Sequence, residues 1–169
     1  MKRFGSPWLG QAQMLLMMGL LVLLGLWTSP VPAQEPISDR QVAALVEALR
    51  LAAPKTGIED DGLYSDWQIK PNNITRWSRR CLGVELSPQE FEANPITARE
   101  VLICVMGDVL REQYIAGNYD ESVAVRRTAA WWMTGDPEQY DSGSTRAYTQ
   151  KVLDYYQTVI LGYPASPAG

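Results

Sequence analysis

The chain has 169 residues, a formal net charge of −4 at neutral pH and no histidine. Because histidine is missing, the common nucleophile–histidine triads and most zinc sites are excluded, and we expect no metal ion and no other cofactor. The acidic balance argues against nucleic acid and against an anionic membrane surface as partners.

The N-terminal segment has the pattern of a signal peptide. Lys2 and Arg3 form a short basic region, and residues 14–26 are apolar apart from two glycines. This stretch has the length of a signal-peptide core and is short for a membrane span. Val31-Pro32-Ala33 places small residues before a cleavage site, so residues 1–33 are predicted to be a Sec-type signal peptide. An uncleaved anchor is the alternative, and either way the remainder would be extracytoplasmic: in a periplasm, in a lumen or secreted.

The predicted mature chain begins at Gln34 and holds 136 residues, with 13 basic against 19 acidic side chains and a net charge of −6. This length suits one domain with a real core. We predict a helical domain over residues 34–163, a loose tail over residues 164–169, and no membrane span after signal cleavage.

Both cysteines, Cys81 and Cys104, belong to the predicted mature chain. In an oxidising compartment, two cysteines with none left over favour one disulfide, and two buried thiols are the alternative. Such a bridge would contribute roughly 3 kcal/mol of stability by the chain-entropy relation.

Capping residues and turn residues divide the chain into helices. Ser38 with Gln41, and Ser87 with Glu90, have the spacing of capping boxes. Further starts are predicted at Asn72 or Asn73, Asn94, Asp120 and Ser144, and ends near Pro54, Gly83, Gly117, Gly135 and Gly162. No stretch alternates long enough to predict a strand. The predicted class is all-α, with about five or six helices in one compact domain.

Two apolar stripes predict which helices form the core. Val101, Leu102, Val105, Val109 and Leu110 predict a central buried helix over roughly residues 95–116. The first helix has its own stripe, made of Val42, Leu45, Val46, Leu49 and Ala53, and Glu47 falls on its polar face.

Residues 62–71 read Gly-Leu-Tyr-Ser-Asp-Trp-Gln-Ile-Lys-Pro. This segment resembles the Gly-Leu-Met-Gln-Ile-x-Pro motif of the soluble lytic transglycosylase and goose-type lysozyme family. The last predicted helix is similar to that family's terminal Glu-Thr-Arg-x-Tyr-Val-x-x-Val-Leu-x-x-Tyr pattern. The positions in register there are Thr145, Arg146, Tyr148, Val152, Leu153 and Tyr156. The resemblance implies a lysozyme-like helical fold.

The resemblance also implies a single catalytic glutamic acid near the end of the first helix, one that protonates the glycosidic oxygen. Glu47 lies 21 residues before Gln68, which the family's pattern allows, but Ala48 follows it where the family has serine. The alternative for Glu47 is a solvated helix glutamate. Glu59 is the second candidate, and its alternative is a surface loop carboxylate.

By the same resemblance, Trp67, Gln68, Trp132 and Tyr148 would bind the glycan. We expect the 62–71 loop to face the end of the 120–134 helix across a groove that these side chains line. Trp132 and Met133 stand where the family has tyrosine and asparagine, and a tryptophan can still stack on a pyranose face. The alternative for Trp67 is a core position. Of Trp131 and Trp132, we expect one in the core and one at the surface or in the cleft.

Three functions follow from these patterns. We favour an exported lysozyme-like domain that binds peptidoglycan or another glycan without cleaving it. The first alternative is an active lytic transglycosylase, and the second is a non-catalytic assembly factor whose partner is an extracytoplasmic protein.

Overall fold

The computed structural model describes residues 36–58 and 61–162, which belong to one compact unit. The predicted signal peptide, the second candidate acid Glu59 and the predicted tail lie outside the described residues. The prediction of an all-α class is confirmed, because the described part of the chain holds six α-helices and no strand. The helices are α1 (Asp39–Ala52), α2 (Pro71–Leu82), α3 (Pro88–Ala93), α4 (Pro95–Ala116), α5 (Glu121–Thr134) and α6 (Thr145–Gly162), with a 3-10 helix at Pro137–Asp141.

Side-chain caps begin four of these helices where the sequence predicts them. Ser38 and Ser87 each accept a hydrogen bond in a complete capping box. Asn94 accepts from the Thr97 amide at 3.1 Å, and Asp120 from the Val123 amide at 2.9 Å. α2 differs from the prediction: it begins at Pro71 rather than after an asparagine cap, since the fixed φ of proline suits the first helical position.

α1 is more deeply buried than its apolar stripe predicts. Ala44 and Ala48, outside that stripe, are also fully buried, and no residue from Gln41 to Arg50 is exposed. The reason is that α4 and α6 both pack against this helix, and its small alanines allow a close approach on more than one side.

α4 spans Pro95–Ala116, as predicted, and its apolar stripe is buried. It contacts α1, α2, α3 and α5, and it keeps a solvent-facing side near Asp108 and Arg111. The predicted disulfide is confirmed: Cys81 on α2 is bonded to Cys104 on α4, with their Cα atoms 6.1 Å apart. The bridge therefore anchors α2 to the core helix behind it.

The 62–71 loop folds back on itself before α2. Tyr64 and Ile69 form an antiparallel bridge, with backbone hydrogen bonds of 3.0 and 2.9 Å. Between them Ser65 and Gln68 adopt positive φ angles of 63° and 56°. The Trp67 indole N–H donates to the Val46 carbonyl of α1 at 2.8 Å, which holds this turn against the core.

A buried arginine fixes the path from α5 to α6. Arg127 donates to Gln113 on α4 at 3.0 Å and to Glu138 on the 3-10 helix at 2.9 Å, and its guanidinium lies 5.8 Å from the Tyr140 ring. The hydrogen bond with Glu138 raises the pKa of Arg127, and the same bond lowers the pKa of Glu138. This contact sets the position from which α6 starts.

No helix in the described ranges combines the length and the apolar character that crossing a membrane requires.

Candidate functional site

A groove of about 890 Å³ opens between the 62–71 loop, α2, the end of α5 and the first turns of α6. We call it the aromatic groove. Its main side chains are Trp67, Gln68, Ile69, Lys70, Asn73, Arg76, Trp77, Trp131, Trp132, Met133, Tyr148 and Lys151. Its size lies within the range of small-molecule and oligomer sites in proteins.

All four residues predicted to bind a glycan line this groove. Trp67 and Gln68 come from the loop, and Trp132 and Tyr148 from the helices opposite. Residues separated by about 80 positions in sequence are thus brought to one concave surface, because α6 returns beside α1 after the turn that Arg127 fixes. The roles of these side chains in binding stay a prediction.

Trp67 occupies the floor of the groove. It is only 4% exposed, and its indole N–H is already bonded to α1, so the core alternative describes it better than a free stacking platform. Gln68 uses its amide nitrogen within the loop, donating to the Ser65 carbonyl at 3.2 Å. Trp67 and Gln68 thus hold the 62–71 loop in the conformation that forms one wall of the groove.

Three tryptophans form a cluster at the groove. The buried Trp77 contacts both Trp131 and Trp132, with ring centroids 6.4 and 5.7 Å away, and the other two supply the more exposed faces. Trp131 and Trp132 are both half-buried and both line the groove, so the expected division into one core and one cleft residue is wrong. The helical spacing of Trp77 from Ile74 and Cys81 is typical of a core residue, and Trp77 is buried, but its contact with Trp131 and Trp132 could not be deduced from the sequence.

Tyr148 supplies a phenol hydroxyl to the groove. Burial raises the pKa of its phenol well above the usual range, so the hydroxyl keeps its proton and can donate. Within residues 36–58 and 61–162, Tyr148 makes no hydrogen bond, which leaves its hydroxyl available to a ligand.

Among the residues that the structure describes, the charged side chains that line the groove are all basic. Lys70, Arg76 and Lys151 line it, and none of the aspartates or glutamates that the structure describes does so. The described residues also contain no cluster of metal-ligating side chains.

Glu47, the first candidate acid, lies outside the groove. Both of its carboxylate oxygens accept hydrogen bonds from Arg50, at 2.9 and 2.6 Å, and Arg50 also lies 3.4 Å from Asp66. The hydrogen bond with Glu47 raises the pKa of Arg50. A general acid must reach the glycosidic oxygen with a proton to give, whereas Glu47 has its oxygens occupied by a guanidinium on α1.

A second, smaller cavity of about 490 Å³ lies on the other side of the 62–71 loop. Its charges are mixed, with Arg50 and Lys55 beside Asp61, Asp66 and Glu92. A hydrogen bond from Thr56 and another from the Leu63 amide lower the pKa of Asp61, so this carboxyl is ionised and unsuited to donating a proton.

The chain matches no protein-family model, no curated protein and no solved structure. The lysozyme-like identity therefore stays a prediction that rests on the sequence motifs.

Proposed function

We propose that this protein is an extracytoplasmic binding module for linear glycan strands, with peptidoglycan as the glycan that the sequence resemblance indicates, and that it does not cleave them through Glu47. The observation that carries the proposal is the aromatic groove itself. It combines half-buried indole faces with a protonated phenol, and no carboxylate among the described residues lines it.

Aromatic faces suit sugar rings for a physical reason. One face of a pyranose presents C–H groups, which pack against an indole, while the hydroxyl groups at the ring edge need hydrogen-bond partners. Trp131 and Trp132 offer the faces, and Tyr148 and Asn73 offer polar groups along the same surface.

Binding is favoured over cleavage because the chemistry of cleavage needs an acid in the groove. Glycoside hydrolysis requires a carboxyl beside the scissile bond, and Glu47 is bonded to Arg50 away from that surface. Binding by stacking and hydrogen bonds needs no such group.

Co-sedimentation with purified cell-wall sacculi tests the proposal. We expect the protein to sediment with sacculi without releasing muropeptides, and Trp132→Ala to weaken binding roughly 2- to 10-fold through the lost ring contact. The matched control is Tyr119→Ala, which removes an exposed aromatic outside the groove. Circular dichroism of each variant checks that the helices remain.

Glu47→Gln separates binding from catalysis. We expect this variant to sediment like the unaltered protein, because only the contact with Arg50 is changed. Muropeptide release that the substitution abolishes would refute the binding-only proposal in favour of the enzyme. Absence of sedimentation by the unaltered protein would refute glycan binding and favour a protein partner.

A further inference from the structure

The aromatic groove carries three cations, and none of them forms an ion pair within the described residues. Lys70, Arg76 and Lys151 all line the groove. The ion pairs lie elsewhere and use Arg50, Arg79, Arg80, Arg111, Arg126, Arg127 and Arg146. The whole chain has more acidic than basic residues, so a groove whose described charged residues are all basic differs from the average composition.

Neutral groups orient two of these cations. The Lys151 ammonium donates to the Ala52 carbonyl at 3.4 Å and lies 5.8 Å from the centroid of the Tyr155 ring. Arg76 donates to the side-chain oxygen of Asn73 at 3.1 Å. A neutral acceptor positions a cation without cancelling its charge, so both charges remain available to a bound anion.

The third cation stands at the start of α2. Lys70 is the N-cap residue, and its side chain makes no capping hydrogen bond. A lysine here is unfavourable for the helix, because the N-terminal end of the helix dipole is already positive. The dipole and the lysine therefore add to the positive potential at the groove, and an anion bound there would relieve both.

We propose that the groove selects glycan strands that carry carboxylate groups, with Lys70, Arg76 and Lys151 as the residues that distinguish acidic strands from neutral ones. This inference rests on the proposed function and names the ligand class of the same groove. The tryptophans contact the sugar faces, and the cations at the edge contact carboxylates. Those carboxylates can belong to the sugar ring, as in a uronate, or to a peptide attached to it.

Titration with three oligosaccharides of similar length tests the selection: a neutral N-acetylglucosamine oligomer, a uronate oligomer and a peptide-bearing muropeptide. At low salt we expect an acidic strand to bind about 10- to 100-fold more tightly than the neutral one, as the sum of three exposed charge contacts. The preference should shrink as salt rises, because exposed charges are screened. The acidic strand that gains the preference identifies the source of the carboxylate.

The outcomes separate the two proposals. Equal affinity for neutral and acidic strands overturns the charge selection and leaves glycan binding intact. No affinity for any of the three strands overturns both.

Substitutions locate the selection in the groove. Arg76→Gln and Lys151→Gln should each lower the affinity for the acidic strand about 2- to 5-fold and lower the affinity for the neutral strand less. Arg99→Gln is the control: it makes the same change of charge on α4, away from the groove. An equal loss in the control would assign the effect to net charge and overturn the proposal.

The Lys70→Asp variant distinguishes a loss of binding from a loss of folding. Aspartate at this N-cap position can accept a hydrogen bond from the first turn of α2, so the thermal midpoint should rise while binding of the acidic strand weakens. Unchanged binding of the acidic strand in this variant would overturn the role of Lys70.

Discussion

Removing the disulfide between Cys81 and Cys104 tests how much of the stability comes from anchoring α2 to α4. The two residues are 23 positions apart. Without the disulfide this loop is no longer closed in the unfolded chain, and the chain-entropy relation then lowers the free energy of unfolding by about 3.4 kcal/mol at 25 °C. For a domain of this length, that corresponds to a fall in the thermal midpoint of roughly 10 to 15 °C.

The assay is urea denaturation of the oxidised protein and of the Cys81→Ser, Cys104→Ser double variant. We expect the double variant to remain folded at low urea, because Ile74 and Trp77 still bury α2 against the core. The matched control is the original protein with its disulfide fully reduced, and it should unfold at the same urea concentration as the double variant. A loss below about 1 kcal/mol would refute the reasoning, since the bridge would then constrain an already compact unfolded state.

Four further predictions concern stability. Thr128→Val should raise the free energy of unfolding by about 1 kcal/mol in denaturation experiments, because the buried Thr128 hydroxyl has no partner among the described residues. Thr149→Val should lower it by a similar amount, because that hydroxyl donates to the Tyr140 carbonyl at 2.6 Å. Stability should also fall in acid. The hydrogen bond with Arg127 lowers the pKa of Glu138, and the hydrogen bond with Arg126 lowers the pKa of Asp141. The stability that these two carboxylates contribute is therefore present above their unfolded pKa values of about 4.5 and 3.8, and it is lost as the pH falls through the lowered folded values. The thermal midpoint should therefore decrease as the pH is lowered below about 4, and it should decrease less steeply with pH in Glu138→Gln. An equally steep decrease in that variant would contradict the prediction. Gly135→Ala should destabilise by about 1 to 2 kcal/mol, because this residue ends α5 at a φ of +83°; equal stability would show that the turn relaxes.

Local signals in the sequence were sufficient for most of the helix starts. A capping side chain such as Ser38, Ser87, Asn94 or Asp120 acts on amides within one turn of itself, so its effect can be deduced from neighbours in the chain. The disulfide could be predicted from the cysteine count together with the oxidising compartment that the predicted signal peptide indicates, because two cysteines allow only one pairing within the chain.

The groove could be predicted in part. The loop around Gln68 and the helices that carry Trp132 and Tyr148 were expected to face each other, and they do. Trp77 could not be assigned, because helical spacing distinguishes a buried face from an exposed one but does not show which distant residues meet that face. The burial of Ala44 and Ala48 escaped prediction for the same reason.

The sequence by itself determined the helical class, most helix starts and the cysteine pairing, since these depend on contacts within a few residues or on simple counting. Tertiary structure alone decided that Glu47 does not line the groove, that Trp67 lies at the floor and is bonded to α1, and that three cations line one surface. These features depend on how α1, α2 and α6 pack, and helix packing is set by the sum of many contacts between residues far apart in the chain.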